Sequence, residues 1–352
     1  MAGSENGSNG NGSAAQTPKF TPWTDETARG IQIAVTMLIF LVGVVLNGLV
    51  VWALGRRSPR HLGRRGSNEE THAASSFRVY VLNLALADLI LLLRTPLMVG
   101  YLINKNSWPF GKVFCSLIMF LRSLGLYASA FLLCAVAVER CLCLLRPVWA
   151  RLRRPYWAVP LTCGLLWLAA FIFSAPYLYF AVLEEKNETK QCQESGEFNM
   201  GLFVTETVAG FMLPLLVFLG SNLAVLVTIN KAVPPTPSST SPYMARKMAR
   251  VYHVLFVTML LFLTCWVPYF ICRFLVALTP QNSKKYILYL YAKYICLFLV
   301  YIKSALNPVL YVFAARGLGR AIKASLVSTI ERLFNEESME SIRRKSIKNS
   351  QM

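Results

Sequence analysis

Residues Ile31–Gly55 read IQIAVTMLIFLVGVVLNGLVVWALG. No ionisable side chain interrupts the stretch, and at about 1.5 Å of rise per residue a helix of this length crosses the roughly 30 Å hydrocarbon layer of a bilayer. Six further apolar segments follow, at approximately Phe77–Ile103, Lys112–Leu145, Pro155–Val182, Phe198–Lys231, Tyr243–Leu278 and Lys285–Phe313. They are too long for barrel strands and lack the alternation of a barrel wall, and hydrocarbon offers an unpaired backbone nothing to bond, so helices are expected. The fold class read from this pattern is an all-α membrane protein, a seven-transmembrane helix bundle.

Composition agrees. Of 352 residues, 55% are hydrophobic and 15% charged, with mean hydropathy +0.47, which argues against a soluble enzyme. The net charge of +19 would suit nucleic acid, but a nucleic-acid binder has no use for membrane-length apolar runs. Lipid head groups are the expected counter-charge, with no nucleic-acid partner.

The basic residues set the orientation. Arg56, Arg57, Arg60, Arg64, Arg65 and Arg78 flank the first connection, Arg151, Arg153 and Arg154 sit in the third, and Lys231, Arg246, Lys247 and Arg250 bracket the fifth. These connections are expected in the cytoplasm, which puts the N-terminus outside and the C-terminus inside a plasma membrane crossed several times. The expected organisation is an extracellular tail over 1–29, the seven-span domain over 30–314, an amphipathic membrane-surface helix over 315–334 and a cytoplasmic tail over 335–352. The Asn/Gly/Ser-rich start has no cleavable signal pattern. Sequons at Asn6, Asn11 and Asn187 all fall on the outer side and mark expected glycosylation. Of nine cysteines, Cys115 opens the third span outside and Cys192 lies in the second outer loop, making them the obvious disulfide pair. Cys272 and Cys296, in the outer halves of spans six and seven, read as free buried thiols.

Polar residues inside spans are costly and mark function. They are Asn47 in span one, Asp88 within LALADL in span two, Glu139-Arg140-Cys141 ending span three, Cys265-Trp266-Val267-Pro268 in span six and Asn307-Pro308-Val309-Leu310-Tyr311 in span seven, with Trp167 in span four and Pro214 in span five. With Cys115 standing 25 residues before Arg140, this series resembles the rhodopsin-like family of G-protein-coupled receptors over about residues 30–333. The stretches VLNLALADL from Val81, SWPFG from Ser107 and AGFMLP from Ala209 are similar to the chemoattractant branch, which holds leukotriene, prostaglandin D and anaphylatoxin-type receptors.

The resemblance implies an activation switch formed by Asp88, Glu139, Arg140, Trp266, Pro268, Lys303, Asn307, Pro308 and Tyr311. Pro268 and Pro308 each delete an intrahelical hydrogen bond and make hinges, and Arg140 is expected to pair with Glu139 at rest. It also implies a heterotrimeric G-protein partner, with arrestin and receptor kinases at the C-terminal tail, where Ser338, Ser341, Ser346 and Ser350 lie among Arg343, Arg344 and Lys345 and suit basophilic kinases. Cys141, Asn222, Met248 and Leu318 depart from the family pattern and point to a loosened or atypical switch. Relatives hold Na⁺ beside the helix-two aspartate. Asp88, Ser129, Ser304 and Asn307 match that site, but Lys303 brings its own ammonium, so an Lys303–Asp88 pair with little sodium sensitivity is one expectation, and a lysine turned to water near spans two and three without touching Asp88 is the other.

Arg94, Arg122, Arg273 and Lys293 point, by family geometry, into an outer cavity walled by Tyr127, Tyr269, Tyr301 and Trp266, where Glu206 is the evident acid. Buried cations in excess of acids favour an anionic ligand, either a lipid carboxylate or a peptide C-terminal carboxylate, the alternative being that they pair with Glu206 and the acids of the second loop or snorkel to outer water. Transport and catalysis fit poorly, since no internal repeat, nucleotide loop, nucleophile motif or metal spacing is visible, and no cofactor is expected. The alternative is an opsin-like light receptor using Lys303 as a retinal amine, although Tyr301 holds the place of the opsin lysine. The loop Ser58–Ser76 reads as a flexible insertion, about a dozen residues longer than the family spacing.

Overall fold

The computed structural model describes residues 26–55, 68–146, 154–155, 157–186, 189–196, 198–232, 242–280 and 283–314. Within them seven helical stretches are long and apolar enough to cross a membrane, at Glu26–Gly55, Ser76–Ile103, Gly111–Cys143, Ala158–Phe180, Met200–Thr228, Met259–Leu278 and Lys284–Val309. Glycosylation at Asn6, Asn11 and Asn187, the helix over 315–334 and the tail serines lie outside the described residues.

The elements are α1 (Glu26–Gly55), α2 (Asn68–Leu93), α3 (Thr95–Ile103), α4 (Gly111–Leu145), α5 (Ala158–Ser174), α6 (Pro176–Phe180), β1 (Val182–Lys186), β2 (Thr189–Gln193), α7 (Met200–Thr207), α8 (Leu213–Ala232), α9 (Pro242–Leu278) and α10 (Lys284–Ala314). Three spans expected to be continuous are interrupted, each beside a proline, which supplies no amide hydrogen to the helix ladder. Span two breaks at Arg94 before Pro96, and span four at Ala175 before Pro176. Span five carries a π-helical turn over Val208–Met212 just ahead of Pro214. Such turns gather at functional sites. The first connection is also less loose than expected, because α2 begins at Asn68.

Span three is the central post, packing on spans two, four and five and on the hairpin, while span six lies on seven and span one on two and seven. Gly125 allows the closest approach, since a Cβ there would stand 2.9 Å from the Leu91 Cα; small residues admit such helix pairs in membranes. Large apolar side chains such as Leu38, Leu165 and Leu216 face outward, at 62%, 57% and 67% exposure, as a lipid-facing surface requires. Polar ties run inside. The Asn47 amide donates to the Ser304 carbonyl at 3.2 Å, Asn307 and Ser129 donate to Asp88 at 2.7 and 3.2 Å, and the Trp167 indole donates to Asn83 at 3.0 Å.

One feature absent from the sequence reading caps the bundle. The acidic second loop folds as an antiparallel hairpin, β1 against β2, with Leu183 opposite Cys192. A Cys115–Cys192 disulfide, with Cα atoms 5.5 Å apart, pins it to the start of span three, and the Trp108 amide donates to the Lys190 carbonyl at 2.7 Å.

Candidate functional site

Beneath the hairpin, a charged cluster joins spans three, five and six to the loop. Arg122 lies seven residues after Cys115, two helical turns deeper on the same face and about 10.5 Å further along the axis. Its Nη1 donates to the Tyr269 hydroxyl at 3.1 Å, and its Nη2 stands 2.7 Å from Glu194 Oε1 and 3.6 Å from Glu206 Oε2. Arg273, on span six one turn past Tyr269, reaches Glu206 Oε2 at 3.0 Å and Glu194 Oε2 at 3.5 Å. Glu206 also accepts from the Tyr177 hydroxyl at 2.5 Å and the Tyr269 hydroxyl at 3.3 Å. Arg122, Arg273 and Glu206 are all buried, so the two arginines survive there because two carboxylates balance them.

Tyr177 was not foreseen in this cluster, and Glu194 only as one of several acids of the second loop. Tyr177 is placed by the Pro176 break in span four. The signal for Glu194 was present: it stands two residues beyond Cys192, whose disulfide partner Cys115 is two turns above Arg122. Two residues of extended chain and a glutamate side chain span that gap. Burial alone would raise the Glu194 carboxyl, but the opposing Arg122, Arg273 and Lys293 hold it down to about 2.

The other expected ligand residues arrange around the cluster. Tyr127 is buried against Phe173 and Phe131, with ring centroids 5.6 and 5.9 Å away, under Gly210 of the π turn, where an added Cβ would stand 3.1 Å from its ring. Arg94 is buried at the span-two break with its guanidinium 5.3 Å from the Tyr301 ring centroid. Among the described residues, neither its Nη1 nor the Tyr301 hydroxyl has a hydrogen-bond partner. The Lys293 ammonium lies over the Tyr294 ring at 5.6 Å. Trp266 sits deeper, in a ladder of parallel rings with Phe262 at 5.7 Å and Phe270 at 6.1 Å.

The switch residues differ from expectation at two points. Glu139 receives Arg154, which also reaches Ser76, while the Arg140 guanidinium lies 5.6 Å from the Phe77 ring centroid. In this structure the partner of Glu139 is thus Arg154, from the connection beyond span three, whereas Arg140 lies toward span two. Nor do Lys303 and Asp88 touch. Asp88 uses its oxygens for Ser129 and Asn307, and the Lys303 ammonium, buried and without a hydrogen-bond partner among the described residues, lies 5.8 Å from the Trp266 ring centroid. Pro268 and Pro308 lie inside their helices as expected. Asn222 turns back to donate to the Phe218 carbonyl at 2.7 Å. Tyr311 falls within α10, and its side chain, like those of Met248 and Leu318, lies outside the described residues. A cavity of about 360 Å³, lined by residues including Phe131, Leu166, Pro214 and Val217, lies apart from the charged cluster and shares no residue with it.

Residues 46–311 match the family described as 7 transmembrane receptor (rhodopsin family). The chain is 33% identical over 315 residues to the C5a anaphylatoxin chemotactic receptor 1 of Oncorhynchus mykiss, covering 88% of this chain and 83% of that one. It is 24% identical over 318 residues to the C3a anaphylatoxin chemotactic receptor of the same species, covering 87% and 80%. Against the C5a anaphylatoxin chemotactic receptor 1 of Homo sapiens it is 25% identical over 315 residues, covering 88% and 83%.

Proposed function

The chain belongs to the rhodopsin family of seven-transmembrane receptors, of the chemoattractant type, and on that premise we propose that it receives an extracellular ligand bearing a carboxylate in the cavity under the hairpin. Of the two carboxylate sources, a peptide C-terminus is favoured over a lipid, because the relatives carry the names of receptors for the C5a and C3a anaphylatoxins. The observation that carries the reading is the charge balance of the cavity. Arg122 and Arg273 meet two carboxylates, Glu194 and Glu206, while Arg94 and Lys293 lie against tyrosine rings, which leaves a formal surplus of two positive charges in a space of low dielectric.

The ligand carboxylate docks on Arg122 and Arg273. Tyr269, bonded to Arg122 and Glu206, directly follows Pro268, so a shift of the cluster acts on the hinge of span six and on the Trp266 ring ladder one turn below. No bond is made or broken. The ligand stabilises one helix packing over another, and the end of the bundle bearing Arg140 presents the altered surface to a heterotrimeric G protein. That end is cytoplasmic and the hairpin end extracellular in a plasma-membrane receptor, in keeping with the basic first, third and fifth connections. Arrestin and receptor kinases act on the serines of the tail.

The test is a screen of peptides presented as matched free acids and C-terminal amides, with nucleotide exchange on G protein as readout. A charge-assisted hydrogen bond contributes about 1.5–3 kcal/mol, so the free acid is expected to be roughly 10- to 150-fold more potent. That gap should collapse in Arg122→Met and Arg273→Met. Active peptides with equal potency as acid and amide would refute the carboxylate reading.

A further inference from the structure

Glu194 is the odd member of the charged cluster. Arg122, Arg273 and Glu206 all stand on spans, with side chains 5%, 7% and 4% exposed, whereas Glu194 comes from the loop and is 30% exposed. Its two oxygens are divided, Oε1 facing Arg122 at 2.7 Å and Oε2 facing Arg273 at 3.5 Å. Glu206 is fixed from the other side by two tyrosine hydroxyls and both arginines. If Glu194 left, two guanidinium groups would face the loop side against a single buried carboxylate, and the seat would carry one uncompensated positive charge.

We infer that Glu194 is a tethered carboxylate occupying the seat formed by Arg122 and Arg273, and that an incoming carboxylate binds there by exchange with it. The inference rests on the proposed carboxylate-bearing ligand for its physiological sense, but the seat itself is defined by this chain alone. The tether is short, since the loop is anchored two residues away by the Cys115–Cys192 disulfide. A group held so near its partner acts at an effective concentration on the order of millimolar or above. Weak monovalent carboxylates are therefore excluded, and a ligand must bring further contacts to win the seat. Between ligands, the arginines carry no excess charge that would gather stray anions or destabilise the bundle. Glu194 thus sets selectivity as well as rest: its carboxylate is the standard that a ligand's carboxylate has to exceed. Lys293 and Arg94, which have no carboxylate within ion-pair distance among the described residues, remain free to take the added contacts.

The experiment uses the full-length receptor in lipid nanodiscs with acetate as the probe, reading the thermal unfolding midpoint in sodium acetate against sodium chloride at matched ionic strength. Glu194→Ala should lower the midpoint, and acetate should restore it saturably while chloride does not. The apparent acetate affinity should be at least about tenfold tighter in Glu194→Ala than in wild type, and Arg122→Met added to Glu194→Ala should abolish the rescue. Should Glu194→Ala give too little folded protein, Glu194→Gln, which keeps the shape and removes the charge, serves the same comparison with formate as the smaller probe. An equal acetate response in wild type and variant, or no response in either, would overturn the inference. No agonist is involved, so the two readings fail separately. Rescue without a gap between acid and amide peptides removes the proposed ligand class and leaves the seat, and a gap without rescue does the reverse.

Discussion

Neutralising Glu206 tests whether the cluster holds the bundle together. In Glu206→Gln the two buried guanidinium groups of Arg122 and Arg273 share Glu194 alone, and the Tyr177 and Tyr269 hydroxyls keep only a neutral acceptor. Removing one partner from a buried ion pair destabilises by about 3–5 kcal/mol, because the charge left behind has no water to turn to. At about 1.4 kcal/mol per factor of ten, the folded-to-unfolded ratio should fall by roughly two to four powers of ten. Removing a second charge of opposite sign should reverse much of this. Glu206→Gln combined with Arg273→Met leaves the close Arg122–Glu194 pair balanced, so the double variant should be more stable than Glu206→Gln alone. The assay is a heat challenge of detergent-solubilised receptor, following the monodisperse fraction by fluorescence-detected size exclusion for wild type, both single variants and the double. Losses that simply add would show that the four charges are not coupled and would refute the reasoning.

Two further outcomes follow from the spans. Lys303 and Asp88 place opposite charges in one buried region, so basal nucleotide exchange by the wild type should be unchanged when Na⁺ is replaced by a bulky organic cation, while Lys303→Asn should become sodium-sensitive; suppression by Na⁺ in the wild type would defeat the idea. The Cys272 and Cys296 sulfurs lie 3.9 Å apart between spans six and seven, so mild oxidation of membranes should convert the two thiols to one new disulfide, with loss of two protons and two electrons. Peptide mapping should find that bridge and none at Cys141 or Cys143, and two alkylatable thiols at Cys272 and Cys296 after oxidation would contradict the packing.

The sequence by itself was enough for the seven spans, because bilayer thickness imposes a length and an apolar composition that no other requirement produces. The Cys115–Cys192 bridge was equally legible once the topology separated oxidising from reducing sides, and so were Pro268, Pro308 and the cations of the cavity, since charge inside hydrocarbon stands out. Of the residues that answer those charges, Glu206 was legible on span five, and the second loop only as a stretch of acids with no one partner marked. Tyr177 and Glu194 lie in a broken span and an irregular loop, and only the folded hairpin brings Glu194 back onto Arg122, a neighbour seventy-two positions earlier. The same holds at the opposite end and in the middle of the bundle. Adjacency suggested Glu139 with Arg140 and helical spacing suggested Lys303 with Asp88, yet the structure gives Glu139 to Arg154 and sets Lys303 over Trp266. Hydrophobic length is a property of one segment and can be read along the chain. Which carboxylate meets which cation depends on the breaks at Pro96 and Pro176, the π turn before Pro214 and the rotation of each helix about its axis, and these are decided only when the seven spans pack together.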